Sequence, residues 1–449
     1  MYIRSLQHEL ANWKRNPSRK PLIIRGARQV GKTTLVNMFA KSFDFYIHLN
    51  LDKGADREIF ERHDDVSTIL QLLLLRENIS IQPHHTMLLF IDEIQNSPKA
   101  VQLLRYFYEE APHIHVIAAG SLLETLLDNR ISFPVGRVEF SILRPFSFRE
   151  YLLAKGENKA HEILGELPFP DYAHMHLMEL FREYALIGGM PEVVSHYLQH
   201  NDLVAVGRIF DSLMTTYSED IEKYATHEGE KKVLRHIIQH APGKAAERIR
   251  FEGFAASNYK SRDVSEAFRT LMKTYLLTLV YPTTSTRIPI LENKRRSPKL
   301  QMLDTGMVNY FAGMQYALIN SDSIDNVFEG RLAEHIVGQE LLSASSSVRH
   351  HNHFWVREKK QSTAEVDYVI QVDDLLIPVE VKAGKTGRLR SLMAFIDEAP
   401  HAYAVRISSA KYCVEQLTTL SGKPFTLLNL PFYLTAQCEQ YVKSVVGSR

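Results

Sequence analysis

Residues 26–33 read Gly26-Ala27-Arg28-Gln29-Val30-Gly31-Lys32-Thr33, and Thr34 continues the run. The spacing is G-x-x-x-x-G-K-[ST], which is typical of a phosphate-binding loop between a strand and a helix. The glycines let backbone N–H groups turn toward a phosphate, and Lys32 and the helix N-terminus add positive potential. The Thr33 hydroxyl can ligate Mg²⁺. We therefore predict that residues 26–34 bind the phosphates of ATP together with Mg²⁺.

The sequence around this loop alternates between strand and helix patterns. Helical patterns cover stretches such as Thr34–Ser42 and Val66–Glu77. Short apolar runs that predict buried strands separate them: Pro21–Ile24, Phe45–Leu49, Met87–Ile91 and His115–Ala119. Strands that alternate with helices favour a parallel sheet covered on both faces, which is an α/β fold.

An acidic pair, Asp92-Glu93, follows the third apolar run. A phosphate-binding loop needs an acidic partner at the end of another strand. We expect Asp92 to complete the Mg²⁺ shell with Thr33, and Glu93 to act as the general base that orients the attacking water. We count Lys32 as a catalytic residue together with Glu93. The alternative is an acidic strand end that only faces solvent.

Two further residues are candidates with an open alternative. Ser121 follows the fourth apolar run, where its hydroxyl would lie near the γ-phosphate or would cap the helix that follows. Arg137 follows Gly136 and is either an arginine finger, acting in cis or in trans, or a surface arginine.

Composition limits the classes of function. Of the 449 residues, 45% are hydrophobic and 23% are charged, which excludes a wholly disordered chain. The net charge of +1 shows no global basic excess, so DNA binding would need a local patch. The cysteines, Cys413 and Cys438, are too few for a disulfide framework or a four-cysteine zinc site. No signal peptide or membrane-spanning run is visible, so we expect a cytoplasmic protein.

Several strings together resemble one family. They are the loop at residues 26–34, Asp92-Glu93, Gly136-Arg137, Leu143-Arg144-Pro145-Phe146-Ser147-Phe148-Arg149-Glu150-Tyr151, and Gly188-Gly189-Met190-Pro191-Glu192. The set resembles the bacterial and archaeal AAA-type ATPases that carry a DUF4143 C-terminal region. The resemblance covers most of the chain, and the last two strings are its most specific part.

That resemblance implies an α/β fold class: a P-loop NTPase (AAA+) parallel sheet with a helical lid, a winged-helix domain and a C-terminal restriction-endonuclease-like α/β domain. The implied division is 1–155 for the ATPase core, 156–200 for the lid, 201–315 for the winged-helix region and 316–449 for the nuclease-like domain. Pro191 resembles the lid proline of STAND-type ATPases, which contacts the nucleotide base. No asparagine lies near Ser121, where many AAA enzymes carry a sensor.

The middle of the chain has the pattern of a winged helix. Helical periodicity marks Glu230–Gln239 and Asp263–Leu276, with a further helix near Phe251–Asn258. Thr278–Val280 and Arg287–Ile290 would form the ribbon. Basic residues supply local positive charge for DNA: Lys260, Arg262, Arg269, Lys273, Lys294, Arg295, Arg296 and Lys299. A protein-docking or purely structural winged helix with a solvated basic face is the alternative.

Carboxylates mark the C-terminal part. Asp367 begins one predicted strand, Glu380 and Lys382 share one face of the next, and Glu334 lies in the helical run Gly330–Leu342. This set resembles the PD-(D/E)XK nucleases. The resemblance implies that Asp367 and Glu380 hold Mg²⁺, that Lys382 positions a water, and that Glu334 completes the site. An amphipathic strand without a catalytic role is the alternative for Glu380 and Lys382.

These patterns predict an ATP-hydrolysing protein whose C-terminal domain binds DNA and cleaves it in a metal-dependent way. The alternative is an ATP-dependent regulatory switch whose C-terminal domain only recognises nucleic acid or a protein partner. The sequence leaves open whether the chain forms a homo-oligomer, and it predicts no membrane partner.

Overall fold

The structure, a computed structural model, describes residues 2–120, 134, 136–222, 225, 227–315, 330–358, 363–382 and 389–447. The chain forms two compact units. The first comprises Met1–Arg144, Lys273–Leu276 and Ser346–Arg349, and the second comprises Pro145–Met272, Leu277–Ser345 and His350–Arg449. Each unit is therefore assembled from stretches that are separate in the sequence.

A five-stranded parallel sheet forms the centre of the first unit. Its strands are β1 (Leu22–Arg25), β2 (Phe45–Asn50), β3 (Met87–Asp92), β4 (His115–Ala119) and β5 (Glu139–Ile142), in the spatial order β2-β3-β4-β1-β5. The four apolar runs that predicted strands are all confirmed. β5 was not predicted, because its short sequence Glu-Phe-Ser-Ile is not a continuous apolar run.

Helices accompany this sheet in the order that the sequence pattern predicts. They are α1 (Leu6–Arg15), α2 (Lys32–Ala40), α3 (Gly54–Arg62), α4 (Val66–Arg76) and α5 (Pro98–Glu110). Apolar side chains from α3, α4 and α5 pack with those of β2, β3 and β4 in one buried core that includes Phe60, Leu73 and Phe107. This burial explains why the strands are almost wholly apolar.

A mixed seven-stranded sheet belongs to the second unit. Its spatial order is β13-β14-β12-β11-β10-β9-β7. The strands are β7 (Pro282–Thr283), β9 (His353–Val356), β10 (Glu365–Val372), β11 (Leu375–Val381), β12 (Tyr403–Ser408), β13 (Cys413–Thr418) and β14 (Pro424–Pro431). A separate two-stranded sheet pairs β6 (Leu277–Val280) with β8 (Lys299–Met302).

The described part of the second unit is otherwise mostly helical up to residue 343. Its helices are α6 (Phe148–Lys155), α7 (Asn158–Ile163), α8 (His174–Ile187), α9 (Pro191–His200), α10 (Leu203–Glu222), α11 (Glu228–His240), α12 (Ser261–Lys273), α13 (Thr305–Phe311), α14 (Arg331–Ser343), α15 (Arg390–Glu398) and α16 (Cys438–Val446). The helical runs predicted near Glu230, Asp263 and Gly330 are confirmed as α11, α12 and α14.

The sequence analysis predicted the wrong partner strand for the ribbon of the middle region. Arg287–Ile290 forms no strand, and β6 pairs instead with β8, where Leu277 lies opposite Met302. The helix predicted near Phe251–Asn258 is only a short 3₁₀ turn at Phe254–Ala256. Lys299 lies in β8 and is 4% exposed, so it is not part of an exposed basic face.

Two adjacent glycines let three backbone segments of the second unit meet. A Cβ on Gly188 would lie 2.1 Å from Asp304 Oδ1, and one on Gly189 would lie 2.1 Å from the carbonyl oxygen of Phe146. The Phe146 N–H donates to the carbonyl of Gly189 (2.7 Å), and the Gly189 N–H donates to Asp304 Oδ2 (2.6 Å). The two strings most specific to the family are therefore in direct contact.

Among the residues that the structure describes, no helix is both long and apolar enough to span a bilayer.

Candidate functional site

The predicted phosphate loop lies between β1 and α2, as the sequence pattern requires. Gly26 has φ 140° and Gly31 has φ 92°, a region that favours glycine. A Cβ on Gly26 would lie 2.2 Å from the carbonyl oxygen of Leu143. Both glycines of the motif are thus required by the backbone, and Gly31 directly precedes the first turn of α2. The loop has the form that an anion-binding turn needs.

Lys32 is buried inside the loop, with 7% of its surface exposed. Its ammonium group donates to the carbonyl oxygens of Gly26 (2.9 Å) and Ala27 (2.8 Å). Burial lowers the pKa of Lys32 to about 8, while Glu93 and Asp92 oppose the decrease. The lysine is therefore held within the turn that would surround a phosphate.

A side-chain hydrogen bond joins the last residue of β3 to the first turn of α2. The Thr33 hydroxyl donates to Asp92 Oδ2 at 2.7 Å. Asp92 is buried, and His48 Nε2 lies 3.6 Å from the same oxygen. Sequence reasoning placed Thr33 and Asp92 together, and the structure brings them into contact. A hydroxyl and a carboxylate at this spacing fit the oxygen ligands that Mg²⁺ prefers.

Glu93 follows directly and has a strained backbone. Its φ of 51° lies in the left-handed region, which non-glycine residues seldom adopt. Gln95 Nε2 donates to Glu93 Oε2 at 2.5 Å. Burial raises the pKa of Glu93 above its ordinary value, and the hydrogen bond from Gln95 opposes that rise. The carboxylate is thus fixed in position next to Asp92.

The structure says less about the other three candidate residues of the ATP site. Arg137 lies just before β5, is 44% exposed, and its Nε donates to Glu109 Oε1 at 2.8 Å. Ser121 lies outside the described residues. Pro191 is the first residue of α9 in the second unit. The roles proposed for these three residues stay predictions.

The predicted C-terminal carboxylates lie on two neighbouring strands. β10 and β11 are antiparallel, with Tyr368 opposite Val379, so Asp367 and Glu380 are the next pair in register. The Val381 N–H donates to Asp367 Oδ2 at 2.8 Å. The two strands are the arms of one hairpin, whose turn contains Asp373.

Glu380 is 5% exposed, and one of its two carboxylate oxygens, Oε1, accepts a hydrogen bond. Lys382 Nζ donates to Glu380 Oε1 at 2.5 Å. Among the residues that the structure describes, no donor bonds Glu380 Oε2, which is buried. Burial, with a contribution from Asp367, raises the pKa of Glu380 to about 7, and Lys382 opposes the rise. A buried carboxylate oxygen without a donor is unusual in a folded protein.

Lys299 supplies a cation that the sequence analysis did not place here. Its Nζ lies 2.5 Å from Glu334 Oε1, 2.9 Å from Glu365 Oε1 and 3.7 Å from Asp367 Oδ1. Burial alone would lower the pKa of Lys299, yet Glu334, Asp367 and Glu365 together raise it above its ordinary value. Burial in turn raises the pKa of Glu334 to about 8, and Lys299 opposes that rise. The lysine side chain is therefore held among three acidic side chains.

This arrangement does not fit a divalent cation as it stands. The Lys299 ammonium lies at the point on which the carboxylates of Glu334, Glu365 and Asp367 converge. Over the described ranges, no group of three or more His, Cys, Asp or Glu side chains has a geometry that could hold a metal ion. The metal roles of Asp367 and Glu380 therefore stay predictions.

Sequence reasoning missed four residues of these sites. Gln95 contacts Glu93, His48 lies next to Asp92, and Lys299 and Glu365 join the C-terminal cluster. Glu365 had a local signal, because strand alternation places it on the same face as Asp367. Lys299 is 35 residues from Glu334 in the sequence, and no local pattern connects them.

Family comparisons match three stretches of the chain. The family described as an AAA domain matches residues 18–152. Two domains of unknown function also match, DUF8612 over residues 178–317 and DUF4143 over residues 329–431. No curated protein matches the chain.

Several solved structures are similar at low identity. A Walker-type ATPase of Pyrococcus abyssi is 15% identical, with a TM-score of 0.45, 69% of this chain covered and 96% of that chain. A signal transduction ATPase with numerous domains and a tetratricopeptide repeat sensor, from Pyrococcus horikoshii, is 14% identical, with a TM-score of 0.29 and coverages of 76% and 48%. The Aeropyrum pernix ORC1 protein in complex with DNA is 13% identical, with a TM-score of 0.23 and coverages of 69% and 90%.

The AAA match spans β1 to β5 and the loop at residues 26–34, and these form an α/β unit with a parallel sheet and helices. The resemblance that the sequence strings indicated is thereby confirmed. The chain carries an AAA domain of the P-loop ATPase fold over residues 18–152 and a DUF4143 domain over residues 329–431.

Proposed function

We propose that this protein binds and hydrolyses ATP at the loop of residues 26–34. The hydrogen bond from the Thr33 hydroxyl to Asp92 Oδ2 carries the proposal, because it joins the end of the loop to the acidic end of β3. Thr33 and Asp92 would hold Mg²⁺, which supplies positive charge next to the transferred phosphate.

The protein's own residues would divide the remaining work. The backbone N–H groups of residues 26–34 and the ammonium group of Lys32 would hold the phosphates. Glu93 would accept a proton from the attacking water, and Gln95 holds its carboxylate in place. Arg137 of a neighbouring copy would stabilise charge on the transferred phosphate. The proposal therefore includes a homo-oligomer.

Two substitutions separate binding from hydrolysis. Lys32→Ala should abolish ATP binding measured by calorimetry, because the loop loses its only lysine. Glu93→Gln should bind ATP with near-normal affinity and lower phosphate release by roughly 10²–10⁴-fold, the usual contribution of a general base. Normal ATP affinity in Lys32→Ala would overturn the loop assignment. Unchanged turnover in Glu93→Gln would remove Glu93 from the base role.

The domain division that the resemblance implies is part of the proposal. We propose a lid at 156–200, a winged helix within 201–315 and a nuclease-like domain at 316–449, after an ATPase core at 1–155. Helices α11 and α12 and the antiparallel pair β6–β8 would be the helices and ribbon of such a winged helix. Lys260, Arg262 and Arg269 are exposed and would face DNA phosphates.

The second candidate function is DNA binding by the C-terminal domain, with metal-dependent cleavage. Asp367 and Glu380 on adjacent strands, with Lys382 next to Glu380, favour it. The test is a cleavage assay on linear, circular and branched DNA with Mg²⁺ or Mn²⁺, with and without ATP. It compares wild type with Glu380→Ala and with Glu415→Ala, which replaces a half-buried glutamate of β13.

Cleavage that is lost in Glu380→Ala and kept in Glu415→Ala would support the nuclease. A dependence on ATP would indicate that the two sites are coupled. DNA binding without cleavage would favour a regulatory switch, in which ATP controls recognition only. If DNA is neither bound nor cleaved, the DNA proposal is wrong and protein partners are the next to test.

A further inference from the structure

We propose that Arg4 is a positioning residue of the phosphate loop. Its guanidinium would hold the peptide between Val30 and Gly31 in the orientation that turns the Gly31 N–H toward a phosphate. The inference rests on the proposed ATP binding at residues 26–34 and names a residue that supports the same site. Arg4 precedes the AAA match, which begins at residue 18, so that match assigns it no role.

One guanidinium joins the end of the loop to the segment that follows β5. Arg4 Nη1 donates to the carbonyl oxygen of Val30 at 2.9 Å, and Nη2 donates to the carbonyl oxygen of Arg144 at 2.6 Å. Arg4 is only 5% exposed. The donors of a guanidinium form a rigid planar fork, so two such bonds fix two carbonyl groups relative to each other. Hydrogen bonds from a charged donor are also stronger than those between neutral groups.

The Val30 carbonyl belongs to the same peptide as the Gly31 N–H. A trans peptide is planar, and its C=O and N–H point in opposite directions. Holding the Val30 oxygen against Arg4 therefore directs the Gly31 N–H to the other side of the chain, where a phosphate in the loop would lie. Gly31 has φ 92° and, as a glycine, restrains this peptide little by itself. A donor outside the loop is therefore what would select one orientation.

The bond to Arg144 ties the loop to a segment that its first glycine already contacts. The Leu143 N–H donates to the carbonyl of Arg25 at 2.8 Å, and a Cβ on Gly26 would lie 2.2 Å from the Leu143 oxygen. The start of the loop therefore packs against Leu143, and Arg4 links the end of the loop to the next residue. Both ends of the loop are thus held against one short segment.

The packing of α1 keeps Arg4 in place. Leu6, Leu10 and Trp13 recur at helical spacing and are buried, so one face of α1 is anchored in the first unit. The Trp13 ring packs near that of Phe39 in α2, with centroids 6.5 Å apart. Because α2 begins directly after the loop, Arg4 and the loop are positioned by the same pair of helices.

The test is ATP binding measured by calorimetry. Arg4→Met keeps a long unbranched stem and removes both donors. We expect its Kd for ATP to rise at least about tenfold with an unchanged number of sites per chain, since losing a hydrogen bond from a charged donor costs about that factor. Arg4→Lys keeps the charge but not the fork, so its Kd should lie between those of wild type and Arg4→Met.

The control is Arg15→Met, which removes the same charge from an exposed position of α1. Arg15 donates to Ala11 and Asn12 of its own helix, so this variant should bind ATP like wild type. An unchanged Kd in Arg4→Met, or an equal rise in Arg15→Met, would overturn the proposal. So would fewer sites at an unchanged Kd, because that result means only that less of the protein is folded.

Failure of Arg4→Met to fold leaves the test to Arg4→Lys, whose Kd must then exceed that of wild type at an unchanged number of sites. If neither variant folds, Arg4 serves folding rather than positioning, and the proposal is wrong. A wild-type protein that does not bind ATP would reject the proposed function itself, and this inference with it.

Discussion

At the scale of single residues, Glu93 combines a proposed role in catalysis with an unfavourable backbone conformation. Its φ of 51° costs an L-residue roughly 1–2 kcal/mol, because Cβ crowds the following carbonyl oxygen. Burial of its carboxylate adds a further cost, which the raised pKa reflects. Strained residues of this kind are retained where function needs their position. Glu93 is therefore a residue at which stability and activity should oppose each other.

Replacing Glu93 by glycine tests this opposition. Glu93→Gly should raise the free energy of unfolding by about 1 kcal/mol, since glycine adopts positive φ without strain, and it should abolish ATP hydrolysis. Urea denaturation of nucleotide-free protein measures the first effect and phosphate release the second. Asn201→Gly is the matched control, because asparagine tolerates its φ of 50° and should gain less. A lower unfolding midpoint in Glu93→Gly would show that the carboxylate stabilises the fold.

At the scale of elements, one carboxyl group joins α14, α6 and α8. Glu340 Oε1 accepts a hydrogen bond from the N–H of Phe148, at the first turn of α6, at 3.1 Å. The hydroxyl of Tyr184 lies 2.8 Å from the same oxygen and 2.8 Å from the carbonyl of Phe146. A hydroxyl donates only one hydrogen, so a proton on Glu340 satisfies both contacts. Burial raises the pKa of Glu340 to about 7, in agreement with this count.

This pKa gives a signed prediction for stability. Glu340 is protonated more readily in the folded protein than in the unfolded chain, whose reference pKa is 4.5. Its contribution is present below about pH 4.5 and is lost as the pH rises through about 7. As the pH rises from about 4.5 to about 7, the wild type should lose roughly 1–3 kcal/mol of unfolding free energy that Glu340→Gln does not lose. Thermal melts at several pH values measure it.

Glu179→Gln, at an exposed position of α8, is the control for the loss of any carboxylate. It should leave the pH profile unchanged. A profile of Glu340→Gln that is parallel to wild type would contradict a protonated Glu340 in the folded protein.

The elements also show how far sequence reasoning reaches. The loop at residues 26–34, Asp92 and Glu93 could be predicted, because a strand, a glycine turn and a helix are local in the sequence. The hairpin with Asp367 and Glu380 was predictable from strand alternation and a two-residue turn. The partner of β6 could not be predicted, since β8 lies 22 residues after it begins and is no more strand-like than the intervening chain. The sequence pattern counts Lys299 among the basic residues available to DNA, because its burial depends on that same pairing and has no local signal.

At the scale of the whole molecule, the net charge of +1 means that long-range attraction to DNA is weak. Any DNA affinity must come from exposed cations such as Lys260, Arg262 and Arg269. The salt dependence of binding then counts the phosphates they contact, since log K falls by about 0.9 per phosphate for each unit of log salt.

Lys260→Ala/Arg269→Ala should therefore weaken DNA binding and reduce the slope of log K against log salt by about two. Fluorescence anisotropy with a short duplex, over about 50–200 mM salt, measures the slope. Lys159→Ala, on the exposed face of α7, is the matched control and should leave the slope unchanged. Equal slopes in all three proteins would exclude this basic face as the DNA contact.

The first unit is built from separate stretches of the sequence, and this limits where a gene can be cut without removing part of the unit. Ser346 belongs to that unit, and its carbonyl accepts the N–H of Ile142 in β5 at 2.8 Å. A gene fragment that stops after Arg144 encodes all five strands of the parallel sheet but omits this acceptor and its flanking residues. Recombination at that point would transfer a nucleotide-binding unit with an open edge. To keep this hydrogen bond, a transferred segment has to extend at least to Ser346.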